Sequence, residues 1–164
     1  MGMGMFAFTA LFTPFVFGWA KPVPVNARYF RNPRKDMLLV SAAGPLTNIA
    51  LALLFGLALK LLITFAPHDF LIGSPVGKYF LEMFQIGVIA NFSLAFVNLI
   101  PLPPLDGGHI LEGLLPRRLA YAWNGIGRYG FLILVVLLAS GMLSSVLTPL
   151  IRWSWNSTLL LFGI

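Results

Sequence analysis

Asn98-Leu-Ile-Pro-Leu-Pro-Pro-Leu-Asp106-Gly-Gly-His109 ends a long apolar run in a burst of prolines, and an acid and a glycine pair follow at once. Proline lacks a backbone N–H and fixes φ, so a helix entering this stretch must stop there. Asp106 is therefore placed beside the end of a membrane helix, where an ionisable group is costly and tends to have a function. The rest of the chain agrees with a bilayer setting. Of 164 residues, 59% are hydrophobic and 10% charged, with mean hydropathy +0.89; a soluble domain carries about 25% charged residues. The length suits one compact domain, residues 1–164.

A helix needs about 20 apolar residues to cross the hydrocarbon core. Working outward from Asn98, the run Tyr79–Ile100 is long enough, and so is Met37–Ala66, whose Lys60 can snorkel from near its far end. Phe131–Ile151 reads as a further span. Met3–Phe17 is a shorter apolar run ending near Trp19. Trp153-Ser-Trp155 has the character of an interfacial aromatic belt, and the tail Asn156–Ile164 is too short to cross alone. The sequence thus predicts an all-α polytopic membrane bundle of about four spans. One short extended or β segment is expected on the cytoplasmic face, at Lys21-Pro22-Val23-Pro24-Val25-Asn26-Ala-Arg28-Tyr-Phe30, where prolines hold the backbone extended.

Charge fixes the expected orientation. Lys21, Arg28, Arg31, Arg34 and Lys35 fall in one loop and Arg117, Arg118 and Arg128 in another, against Lys60, Lys78 and Arg152 on the opposite side. By the positive-inside rule these two loops, the first and third of the chain, and Asp106 with them, are cytoplasmic, and the loop His68–Lys78 is external. The net charge of +6 is then topological, and nucleic acid is not an expected partner because the basic residues form no broad face. Membrane lipids are. There is no Cys, so a metal could be held only by His, Asp or Glu, and there are just two His.

Two readings of Asp106 fit the local sequence. It can cap a helix Gly107–Leu114, or it can ligate a metal, with Gly107 and Gly108 allowing a close approach. His109 follows at i+3, on the same helix face, but a zinc site needs at least three protein ligands; the plainer reading of His109 is interfacial. His68, between Pro67 and Asp69, looks like an external turn. Within the spans, Pro45 removes the hydrogen bond to the Ser41 carbonyl and kinks its helix. Asn48 and Asn91 suit helix–helix hydrogen bonding. Asn98 shares a face with Asn91 and lies close to Asp106 along the chain, where its amide N–H could donate to a developing oxyanion.

Taken together, Phe17-Gly-Trp-Ala-Lys-Pro-Val-Pro-Val-Asn26, Arg31-Asn-Pro-Arg-Lys-Asp36, Ala43-Gly-Pro-Leu-Thr-Asn48 and Asn98 to His109 resemble the site-2 protease family of intramembrane zinc metalloproteases. In order and spacing they cover most of Phe17–Leu115. In that family two His of a His-Glu-x-x-His helix bind zinc and the Glu is the general base. The resemblance implies that Asp106 is the third protein ligand of Zn2+ and that Asn98 stabilises the oxyanion or positions substrate. It implies transmembrane protein substrates, contacted by Asn48, by Pro101, Pro103 and Pro104, and by the strand Lys21 to Val25. His-Glu-x-x-His does not occur in the 164 residues. The expectation is a helix bearing it in a missing N-terminal portion, so the chain as written offers one zinc ligand and should be inactive alone. The setting expected is a prokaryotic inner membrane. Two other readings stay open: a non-catalytic relative that binds transmembrane helices, and a small transporter or channel subunit using broken helices and Asp106.

Overall fold

The computed structural model describes residues 32–164, and every described element is helical. The apolar run Met3–Phe17 and the extended segment Lys21–Phe30 lie outside the described residues. Six helices follow in order: α1 (Pro33–Phe65), α2 (His68–Gly73), α3 (Pro75–Asn98), α4 (Asp106–Leu114), α5 (Arg117–Ala139) and α6 (Met142–Phe162).

Two of them, α1 over Lys35–Phe65 and α3 over Pro75–Asn98, are long and apolar enough to cross a membrane. They match the spans read from the sequence to within a few residues. Each starts with proline in its first turn, where the missing N–H costs nothing. Ser74 caps α3 by accepting from the Gly77 N–H at 2.9 Å. Pro45 lies inside α1 and is fully buried, so it is packed within the bundle.

The antiparallel pair α1 and α3 forms the core. Ala52, Val88 and Phe92 are its buried centre, with Ile49, Phe55, Phe96 and Trp155 packed against it. Gly87 lets the Phe55 ring close on the α3 backbone, since a Cβ there would lie 2.5 Å from the ring; close approach at small residues is how helices gain packing in lipid. The outer faces are oily throughout: Leu39, Leu46, Leu54, Leu61 and Phe65 on α1 are all exposed. On a water-soluble protein this would be an aggregation surface; around a bundle whose backbone polar groups are satisfied within helices it is a lipid interface. The protein is an integral membrane protein.

Two expectations are corrected, for Phe131–Ile151 and for His68. Phe131–Ile151 is not one continuous helix: the chain breaks at Ser140-Gly141, with Gly141 at φ 72°, and the segments Gly125–Ala139 and Met142–Phe162 meet at a 75° bend. Gly141 takes this left-handed backbone without a Cβ penalty. The described residues therefore hold two spans, or three if the bent pair counts as one. The tail from Asn156, too short to cross alone, forms the last third of α6, which packs on α1 and α3. There Thr158 and Phe162 close on Gly56, and the Lys60 ammonium donates to the Gly163 carbonyl at 3.0 Å. His68 opens the short helix α2 rather than a turn.

Candidate metal and substrate site

The turn from α3 into α4 is built from local backbone economy. After Asn98 the Leu99 N–H still bonds back to Ala95 at 3.0 Å and Ile100 to Val97 at 3.1 Å, so the helix unwinds through one tight turn. Leu102 is buried and pins the loop, while Pro101 and Pro104 are exposed. The Pro103–Pro104 peptide is cis. Gly107 rests on the Leu99 and Ile100 carbonyls and Gly108 on the Leu102–Pro103 backbone. A side chain at either glycine would collide with main chain, so the pair folds α4 back onto the loop that precedes it.

This folding presents Asp106 to α1. It is the first residue of α4, one past the N-cap Leu105, so it is not the cap itself as the first sequence reading had it. Its carboxylate lies directly over Gly44: a Cβ at Gly44 would sit 2.9 Å from Oδ2 and 3.8 Å from Cγ. Asn98 reaches the same place by register. Ala52 packs with Val88, and the Phe55 and Phe84 rings are 6.3 Å apart. Continued turn by turn in an antiparallel pair, this sets Asn98 level with the Ser41–Pro45 turn of α1. Asn48 is one turn further into the bundle from Gly44 and on the same face. Asn98, Asp106, Gly44 and Asn48 thus gather at one end of the α1–α3 pair.

Burial pushes the Asp106 carboxyl above its ordinary range, and His109 opposes this. His109 in turn pairs with Glu112, Nδ1 to Oε2 at 3.7 Å, so α4 carries Asp106, His109 and Glu112 in successive turns. Desolvation raises the cost of ionising Asp106, and a bound cation would repay it. Metal and proton then compete for the carboxylate, and the raised pKa moves that competition to higher pH. Were a metal held there, its retention would fall on acidification at a pH above that usual for exposed carboxylates, as an equilibrium-dialysis titration would show.

The donors fit one position of a metal site and not a complete one. Among the described residues no group of three or more His, Asp or Glu is placed to hold a metal, and zinc needs three protein ligands. The Asn91 amide, expected to bond across helices, donates to the Gly87 carbonyl of its own helix at 2.8 Å. Lys21 to Val25 lie outside the described residues.

Helix α5 backs the site, and nothing in the sequence reading foresaw this. The Trp123 indole N–H donates to the Gly108 carbonyl at 3.2 Å. Pro103 packs against Gly127, and its carbonyl abuts Gly130 so closely that no Cβ fits there. Pro103 is thus a packing residue of the loop, whereas Pro101 and Pro104 stay open. Replacing Gly130 by Ala should destabilise the fold by about 1–3 kcal/mol, the usual cost of overpacking. Trp123→Phe, which loses the indole donor and part of the ring of a half-buried side chain, should cost about 1 kcal/mol. Detergent-solubilised thermal unfolding would rank the two.

The fold is that of a polytopic helical membrane protein with a carboxylate-bearing turn at one end of its central helix pair. The chain belongs to peptidase family M50, whose model matches residues 5–138, in agreement with the resemblance seen at residues 17–109. It is 38% identical over 147 residues to YwhC of Bacillus subtilis, covering 90% of this chain and 66% of that one. It is 34% identical over 119 residues to Rip2 of Mycolicibacterium smegmatis (72% and 42% of the two chains), and 31% identical over 124 residues to Rip3 of Mycobacterium tuberculosis (74% and 29%). All three are named, provisionally, as zinc metalloproteases. The chain spans less than two thirds of the length of these relatives. No solved structure gives a significant match.

Proposed function

We propose that this chain forms part of an intramembrane zinc endopeptidase that cleaves transmembrane segments of membrane proteins. The observation that supports it best is the Asp106 carboxylate seated on Gly44, at the level of Asn98, in a chain of peptidase family M50. Asp106 would be one protein ligand of Zn2+, the others coming from a His-Glu-x-x-His segment that these 164 residues do not contain. Zinc held there would supply a Lewis acid for the scissile carbonyl. Asn98 would donate its amide N–H to that carbonyl oxygen as charge develops on it.

An unwinding substrate needs partners for its freed backbone groups. Asn48 offers a side-chain amide one turn below Gly44. Pro101 and Pro104 are exposed on the turn that leads into Asp106, and Lys21, Pro22, Val23, Pro24 and Val25 would add a strand that pairs with the substrate. The charge bias of the loops supports a cytoplasmic site in a prokaryotic inner membrane.

The test uses the full-length protein in proteoliposomes with a membrane-anchored reporter. Asn98→Ala is expected to keep its zinc, measured by elemental analysis, and to slow turnover about 10²–10³-fold, as for one lost oxyanion donor. Loss of zinc together with turnover would make Asn98 structural. Absence of both zinc and cleavage in the unaltered full-length protein would favour the non-catalytic helix binder.

A further inference from the structure

Helix α5 has two faces. Ala120, Trp123, Gly127, Gly130, Leu134 and Leu137 recur at i+3 and i+7 spacing and are its only buried or half-buried described positions. This is the stripe that carries the bond to Gly108 and the contacts to Pro103. At 100° per residue, Arg118, Tyr121, Arg128 and Tyr129 occupy about a 100° arc on the other side. All four are exposed, Tyr121 at 84%.

Charge complementarity selects the occupant. Residues 113–164 contain Arg117, Arg118, Arg128 and Arg152 and no Asp or Glu, so the arc has no acidic neighbour along this part of the chain. Its depth fits too. The membrane-length apolar segment of the bent pair begins at Gly125, so the first two turns of α5 lie outside it and Arg128 lies in its first turn, within snorkelling reach of the surface. Beyond Tyr129 the helix is apolar on every side, with Phe131, Leu132, Val135 and Val136 exposed. A helix that is basic and tyrosine-rich where it enters an oily segment has the composition of a headgroup-level anchor.

We propose that the Arg118–Tyr121–Arg128–Tyr129 face of α5 is a binding site for anionic phospholipid. The guanidinium groups take the phosphodiester and the tyrosine rings lie at the glycerol level. Since the opposite stripe bonds Gly108, two residues from Asp106, a lipid seated there also steadies the turn that carries the carboxylate. The assignment of the lipid face does not depend on protease activity.

Native mass spectrometry of the full-length protein in neutral detergent tests it, with phosphatidylglycerol, phosphatidylcholine and inorganic phosphate as probes. Phosphatidylglycerol should be retained in preference to phosphatidylcholine, and Arg118→Gln/Arg128→Gln should weaken its binding on the order of 20-fold, from the usual contribution of two surface basic residues. Arg118→Lys/Arg128→Lys should restore most of it, and Arg152→Gln should leave it unchanged. Equal retention of the two lipids would overturn the proposal. So would an undiminished preference in the double Gln variant. Displacement of phosphatidylglycerol by equimolar inorganic phosphate would show a free-anion site instead, and a co-purifying acidic protein that excludes the lipid would show a protein interface.

Discussion

Asp106→Ala in the full-length protein is expected to abolish cleavage of a membrane-embedded reporter and to strip most of its zinc, with the fold kept. Asp106 lies on Gly44 at the α1–α4 junction, half-buried, where ionisation is disfavoured unless a cation sits beside it. Truncation to Ala removes that desolvation cost, so the apoprotein should not be less stable. Losing even an outer partner of a metal ligand costs about 10–100-fold in affinity or activity, so losing a ligand should exceed that. Elemental analysis beside a thermal melt separates the two effects. Near-normal activity would take Asp106 out of the ligand set.

Gly44→Ala is the second large effect, and the more diagnostic. The added methyl would lie 2.9 Å from Asp106 Oδ2 and 3.8 Å from Cγ. Only a short side chain has to yield, so the fold should change by less than about 1 kcal/mol, unlike Gly130→Ala, where backbone must move. The carboxylate nevertheless has to swing away from its place. Metal affinity should fall about 10–100-fold, the scale for a disturbed ligand, while the melting temperature stays near wild type. A variant with both unchanged would mean that the Asp106–Gly44 contact has no part in function.

The sequence made the two central spans legible because each is one uninterrupted apolar run closed by a polar or proline-rich loop. Met37–Ala66 and Tyr79–Ile100 became α1 and α3. The helix after Asp106 was legible from its prolines and glycines. The break at Ser140-Gly141 was not, because average hydropathy carries across two residues set in an apolar run; the Ser-Gly pair itself was the available signal. At the site, motif and spacing pointed to Asp106 and Asn98, but not to what Asp106 touches. Gly44 could be read as a small residue allowing close approach, without naming its partner. Trp123 and Gly130 were invisible for the same reason: contacts between α5 and the proline loop depend on how the chain folds back, and no local pattern encodes that. The basic residues of α5 were read as orientation signals, and only the buried stripe opposite shows that they share one face.

Contact between position 106 and zinc is read directly by a change of ligand atom. The chain has no Cys, so Asp106→Cys places a sulfur where there was a carboxylate oxygen. Zinc K-edge X-ray absorption on the full-length protein, compared with the unaltered form, should then gain one sulfur at about 2.3 Å. A zinc-loaded variant with an unchanged ligand shell would contradict the account.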